Sequence, residues 1–381
     1  MSRDPFPADS VARQLDYCTF CPKMCRHACP VSTSTGKETW IPQAKMAQLG
    51  QLAKGREAWT AASADPLWAC TGCRHCTAYC DHANEPGLVL LAGRAEAVAR
   101  GAGHPALAGY AERFRRRDER LAAQLDDQFA DRLADHGAIG FWPGCDAIGK
   151  GPGDVAAALA VMDRVGETGV RLIATEQVCV GYPLLAAGYK DLFRWHAGKV
   201  AAALRGFSTV VLNCSACLYT LRAQYPGEGH AVAGEILSLA EFLAERRALL
   251  PRPSTRRTVY YHDPCYHARY SGVIEAPRAL LGQLSEIREF GWNKTDTECC
   301  GGGGLLAKTM PTAADAMAKR RLSEVQAKGG GLVVTSCGTC TFMLKRNAPP
   351  SVEVSDLPTA VANLTDTAYD TPRTVTDETE D

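Results

Sequence analysis

Five thiols fall in one stretch of this chain: Cys265 in Cys265-Tyr266-His267, the adjacent pair in Cys299-Cys300-Gly301-Gly302-Gly303-Gly304, and the spaced pair in Cys337-Gly338-Thr339-Cys340. Adjacent cysteines make a poor disulfide or zinc pair. Neighbouring thiolates repel, and they persist mainly where cations such as iron neutralise them. The stretch is therefore read as a metal-cluster site. The other cysteines are grouped too, at Cys18, Cys21, Cys25 and Cys29, at Cys70, Cys73, Cys76 and Cys80, and at Cys145, Cys179, Cys214 and Cys217, so none of the 17 is stray. An odd total in a chain expected in a reducing compartment points to metal rather than disulfides.

The two N-terminal runs, Cys18-x2-Cys21-x3-Cys25-x3-Cys29-Pro30 and Cys70-x2-Cys73-x2-Cys76-x3-Cys80, form a ferredoxin-like pair. In two-cluster ferredoxins the fourth cysteine of each run serves the other cluster. That rule groups Cys18, Cys21, Cys25 and Cys80 around one cubane 4Fe-4S cluster, and Cys70, Cys73, Cys76 and Cys29 around a second. Structural zinc also uses Cys-x2-Cys pairs, but four close cysteines per run fit clusters better. The first run has one more residue than usual between Cys21 and Cys25, and Asp81 stands where a proline is usual. The repeats Cys25-Arg26-His27 and Cys73-Arg74-His75 put cations beside the thiols, either tuning a cluster or as solvated side chains.

Several elements must position these groups. Pro42 to Lys54 reads as a helix with Met46, Leu49 and Ala53 on one face, and Ala106 to His136 as a linking helix or two through Phe114, Leu121, Leu125, Phe129 and Leu133. Its run Arg113 to Arg117 is expected as a solvated face, with docking to an acidic partner or membrane surface as the alternative. Past Gly137, short apolar runs at Ile139 to Trp142, Arg171 to Ala174, Val210 to Leu212, Val259 to Tyr261 and Leu332 to Val334 alternate with helices, the signature of parallel sheet. One helix runs from Asp154, a candidate N-cap, to Val165, and another from Ala314 through Val325 to Gly329. Cys145, Cys214, Cys265 and Cys337 follow four of the strands, where open α/β sheets bind ligands.

An internal repeat organises this half. Cys145 and Cys179 are separated by 34 positions, as are Cys265 and Cys299, and Cys214-x2-Cys217 matches Cys337-x2-Cys340. Val180 stands where the second copy has Cys300. The four thiols of the first copy leave two readings open, a cubane cluster or an empty repeat kept for packing.

From Tyr17 to Lys345 the chain resembles the two-ferredoxin, two-CCG-domain iron-sulfur subunits of glycolate oxidase, anaerobic glycerol-3-phosphate dehydrogenase, lactate-utilisation proteins and heterodisulfide reductase. The resemblance implies an α+β chain: a helical ferredoxin-like two-cluster domain (1–105), a helical linker (106–137), and two Rossmann-like α/β CCG domains related by duplication, the first degenerate (138–250) and the second complete (251–348). It further implies that Cys265, Cys299, Cys300, Cys337 and Cys340 hold a noncubane 4Fe-4S cluster as the terminal or catalytic centre. The expected role is electron transfer between a flavoprotein dehydrogenase or electron-transfer flavoprotein and a quinone, disulfide or other carrier, with a membrane-associated acceptor admitted. The alternative is direct cleavage of a substrate disulfide at the noncubane cluster.

Other classes are excluded or set aside. Lysine plus arginine equals aspartate plus glutamate at 42 each, so whole-chain charge gives no reason to expect nucleic acid. Gly301 to Gly304 lacks the Lys-Ser/Thr of a phosphate loop and the spacing of a dinucleotide fingerprint; its glycines would let backbone N–H groups approach sulfur. His262 and His267, flanking Cys265, are read either as proton donors at a substrate site or as structural histidines. Asp4, Pro5, Pro7 and Asp9 occupy the place of a secretory apolar run, and no window approaches the roughly 18 apolar residues of a membrane span. The expected location is the cytoplasm, or the inner membrane's periphery through a partner. The polar segment 349–381, with Asp366, Asp370, Asp377, Glu378, Glu380 and Asp381, is expected to be disordered.

Overall fold

The computed structural model describes residues 8–365, and it shows an α+β chain with two all-parallel sheets. The first sheet contains β1 (Leu133–Ala134), β2 (Gly137–Trp142), β3 (Arg171–Ile173), β4 (Phe207–Leu212) and β5 (Glu235–Ser238), in the order β1-β3-β2-β4-β5. The second contains β6 (Arg257–His262), β7 (Ser285–Glu289), β8 (Gly331–Thr335) and β9 (Val352–Asp356), in the order β7-β6-β8-β9. Matching β2 to β6, β3 to β7, β4 to β8 and β5 to β9 makes the two orders the same, so the repeat read from cysteine spacing is also a repeat of topology. β1 is an extra edge strand of the first copy.

The central strands are those whose apolar runs are visible in sequence. Val210, Val211 and Leu212, like Val333 and Val334, are buried, as expected of parallel strands covered on both faces. Crossover helices pack on them: Pro152–Arg164 buries Val155, Leu159 and Met162, and Pro311–Ala327 buries Ala314, Ala318, Leu322 and Val325.

Ahead of the sheets, Pro42–Ala53 buries Met46, Leu49 and Leu52, while Ala53, expected on that face, is exposed. The linking helix is Tyr110–Phe129, with Phe114, Leu121 and Leu125 buried, and Leu133 belongs to β1 rather than to this helix. Asp154 is not an N-cap either. The helix begins at Pro152, whose fixed φ suits the first helical position, and the Asp154 carboxylate accepts from Thr359 Oγ1 at 2.6 Å.

The largest correction is at the C-terminus. Within the stretch expected to be disordered, Val352–Asp356 is β9 and Leu357–Thr365 is a helix that buries Leu357, Val361 and Leu364. These elements repeat β5 and the helix Leu239–Glu245 of the first copy. Asp366 and the acidic residues after it lie outside the described residues. Among the described residues no helix is long and apolar enough to cross a membrane.

Candidate metal centres

Two neighbouring cavities sit in the N-terminal helical region. One is lined by Cys18, Cys21, Cys25, Cys76 and Cys80, and the other by Cys29, Cys70, Cys73 and Cys76. Each thus takes its fourth cysteine from the opposite run, Cys80 in the first and Cys29 in the second, and Cys76 forms part of both walls. Cys29 is placed by Pro30, which opens the helix Pro30–Thr35. Asn84 donates to Cys18 Sγ through its side chain at 3.2 Å and to Cys80 Sγ through its backbone at 3.4 Å.

Two buried cations flank the second cavity. Lys45, 1% exposed, donates from Nζ to Cys29 Sγ at 3.5 Å. Burial works against its charge, but the Cys29 and Cys70 sulfurs more than offset this and raise its pKa. Among the described residues no carboxylate pairs with it. Arg94, also 1% exposed, donates to the carbonyls of Leu67 (2.9 Å), Cys70 (2.7 Å), Ala186 (3.0 Å) and Gly304 (3.0 Å), and so joins the helical region to both repeats. The cations expected from sequence behave otherwise: Arg26 is exposed and paired with Glu38, and Arg74 is paired with Glu85.

In the second repeat, Cys265 follows β6, Cys299 and Cys300 lie in the loop ending at Gly301, and Cys337 and Cys340 open the helix Gly338–Lys345 after β8. Gly301 has φ +92°, and a Cβ there would collide with the Ala314 carbonyl; its N–H donates to Cys299 Sγ at 3.4 Å. The five thiols are electrostatically coupled in a chain, Cys265 with Cys299, Cys299 with Cys300, Cys300 with Cys340 and Cys340 with Cys337. Hydrogen bonds from Cys299 and Cys340 hold Cys300 well below the ordinary thiol value, and those from Cys214 and Cys340 do the same for Cys337. All five are between 2% and 6% exposed.

A buried ion network fixes this loop. Arg278 makes a bidentate pair with Asp263 at 2.7 and 2.8 Å and reaches Glu289 at 2.7 Å. Asp263 also accepts from Lys294 N at 2.8 Å, and its carbonyl accepts from Thr297 Oγ1 at 3.0 Å. The end of β6 is thereby tied to the segment leading into Cys299.

His262 and His267 are enclosed, and burial lowers their pKa values to about 3 and about 4, so they are neutral. His262 Nδ1 accepts from Arg321 Nε at 3.1 Å, which leaves its proton on Nε2, an atom with no partner among the described residues. Ligand atoms of His262, Cys300 and Cys340 lie within 4.8 Å of one another.

In the first repeat, Cys145 couples electrostatically with Cys179, and Cys214 with both Cys217 and Cys337, while Thr339 Oγ1 of the second repeat donates to Asp146 at 2.5 Å. Val180 is buried in the place of Cys300. The linking helix contributes a part that sequence reading missed. Arg115 is exposed and paired with Glu112 and Glu119, as a solvated face would be. Arg117 instead reaches Asp146 at 3.1 Å and contacts the Cys145 thiol. Asp118 accepts from the N–H groups of Val178 (3.2 Å) and Cys179 (2.9 Å), and burial raises its pKa to about 7. The signal was present, since Asp118 falls on the apolar stripe of Phe114, Leu121 and Leu125.

The helical region and the second repeat pack closely beside these thiols: a Cβ on Gly304 would collide with the Cys70 carbonyl, and the Cys73 thiol couples electrostatically with Cys299. Arg269 braces the contact, donating to the carbonyls of Cys73 (2.6 Å), Thr295 (2.8 Å) and Thr297 (2.7 Å). Beside it Tyr182, Tyr219, Tyr266 and Tyr270 form an aromatic cluster in which Tyr266 stacks on Tyr270 and Tyr182 meets Tyr266 edge-on, with Tyr270 bonded to Gly72 O at 2.5 Å. Every thiol is free. A buried ammonium whose partner is a thiol, an unpartnered imidazole N–H and converging cysteines together suit an anionic iron-sulfur group.

Comparison with known proteins agrees with this geometry. Residues 14–84 match the 4Fe-4S dicluster domain, and residues 139–222 and 259–345 each match the cysteine-rich CCG domain. The chain is 29% identical to one of the subunits of the fumarate reductase (CoM/CoB) of Methanothermobacter marburgensis, over 73% of its own length and 57% of that protein's. It is 26% identical to a subunit of the dihydromethanophenazine:CoB–CoM heterodisulfide reductase of Methanosarcina barkeri, over 74% and 72% of the two chains. With a subunit of the anaerobic glycerol-3-phosphate dehydrogenase of Escherichia coli it shares 27% identity over 61% and 59%. The match to the first of these relatives thus spans little more than half of that protein.

Proposed function

Because the chain belongs to the iron-sulfur proteins that join a 4Fe-4S dicluster domain to two CCG domains, we propose that it is the electron-transfer subunit of an oxidoreductase complex. The observation that carries this reading is the docking of the dicluster domain on the second repeat at Cys73, whose carbonyl accepts from Arg269 Nε at 2.6 Å and whose thiol couples electrostatically with Cys299. Bound 4Fe-4S clusters would supply one-electron chemistry across that junction. In this reading Cys18, Cys21, Cys25 and Cys80 hold one cubane and Cys29, Cys70, Cys73 and Cys76 the other. Cys265, Cys299, Cys300, Cys337 and Cys340 hold the noncubane cluster. The first domain is ferredoxin-like, the two repeats are Rossmann-like, and the boundaries fall near 105, 137 and 250.

Oxidation of an alcohol or amine removes two electrons, a step normally carried by a flavin or nicotinamide. The chain has no dinucleotide fingerprint, so the donor is a flavoprotein dehydrogenase or electron-transfer flavoprotein, and the acceptor a quinone, disulfide or other carrier reached in the cytoplasm or at the membrane periphery. Burial of all five thiols of the second repeat supports a relay over a disulfide-cleaving centre, which must admit its substrate to the metal. The test mixes the cluster-loaded chain with candidate hydroxy acids or amines, with and without the flavoprotein that co-purifies with it. Cluster reduction should require the flavoprotein, and reduction by substrate alone would refute the relay.

A further inference from the structure

We propose that the buried Lys45 ammonium orders the two dicluster centres, holding the Cys29, Cys70, Cys73 and Cys76 centre at the higher potential so that electrons run inward from Cys18, Cys21, Cys25 and Cys80 towards Cys299. This rests on the relay reading and adds a direction to it. Burying a lone ammonium is costly unless an anion pairs with it. Lys45 sits on a helix whose neighbouring side chains Met46 and Leu49 are buried, among the described residues no carboxylate pairs with it, and its Nζ meets Cys29 Sγ at 3.5 Å. The anion it awaits is the thiolate set and whatever metal group that set holds.

The environment is asymmetric. The inner centre also has Arg94, a guanidinium that stays charged, donating to Cys70 O at 2.7 Å on a side chain that is fully enclosed. Arg74, which lines the same cavity, is neutralised by Glu85. Around the outer centre the contacts are neutral dipoles, Asn84 Nδ2 to Cys18 Sγ at 3.2 Å and Asn84 N to Cys80 Sγ at 3.4 Å. Lys23 lines that cavity but is exposed, where water screens its charge. Accepting an electron adds one negative charge to a centre, and a fixed cation in a dry site stabilises that charge far more than a hydrated one. In the transfer the outer centre is oxidised by one electron and the inner centre reduced by one, the flavoprotein donor having supplied the electron.

Lys45 touches a ligand thiol rather than the reacting partner, so it is a positioning residue, and its signature is a potential. The experiment is a redox titration of the cluster-loaded full chain followed by electron paramagnetic resonance, with the two signals assigned through Cys21→Ser and Cys70→Ser. In the wild type the signal lost in Cys70→Ser should be reduced first. Lys45→Met should lower the reduced-to-oxidised ratio of that signal at fixed potential at least tenfold, about 59 mV for one electron, and leave the other signal in place. Lys45→Arg, which keeps the charge, should restore the order. If Lys45→Met fails to load the inner centre, the wild-type order alone decides. An outer centre reduced first, or an inner signal indifferent to Lys45→Met, would overturn the proposal while leaving the relay standing. A chain that binds no iron would overturn both.

Discussion

Cys73 of the dicluster domain and Cys299 of the second CCG repeat are electrostatically coupled neighbours, although 226 positions separate them in the chain. Centres held by these two residues would share a sulfur–sulfur boundary, and their unpaired spins should interact when both are reduced. The expected result is a broadened resonance from the Cys70 centre that sharpens in Cys337→Ser, with the Cys18 centre unaffected. Identical line shapes in the two proteins would show that the centres are not neighbours.

Metal content follows from the ligand sets. Anaerobically reconstituted protein should bind on the order of 12 iron atoms if the first repeat is empty and about 16 if Cys145, Cys179, Cys214 and Cys217 hold a cubane. Stoichiometric zinc without iron would sink the assignment.

Cys300 separates the two repeats chemically, since Val180 replaces it in the first. Cys300→Ser should abolish or alter one spectroscopic signal while both dicluster signals persist. An unchanged spectrum would remove Cys300 from the ligand set.

Arg278 is the main neutralising partner of buried Asp263. Arg278→Met should therefore destabilise the second repeat by about 3–5 kcal/mol, the usual consequence of leaving one charge of a buried pair alone. Denaturant unfolding of the loaded protein measures this, and a loss below about 1 kcal/mol would mean that Asp263 finds another partner.

The cysteines announced the centres because their spacing is set by the metal group and not by the fold. The central strands were legible for a related reason: β2, β4, β6 and β8 are buried on both sides and read as apolar runs. The edge strands were not. β7 is Ser-Glu-Ile-Arg-Glu and β5 is Glu-Ile-Leu-Ser, segments whose polar residues suit a sheet margin and mask the strand. The final strand and helix went unseen because the surrounding residues are polar and because their counterparts in the first copy, β5 and the helix after it, were themselves unread. Arg117 and Asp118 were hidden differently: composition marks a basic helix, and only the burial of one face shows which charges turn inward.

The four carbonyls held by Arg94 belong to three parts of the chain, the helical region and the two repeats. Such a keystone ties the three parts to one another. A gene fragment encoding the dicluster domain alone would expose this guanidinium with half of its acceptors missing, which makes the three parts a single unit of maturation rather than interchangeable cassettes.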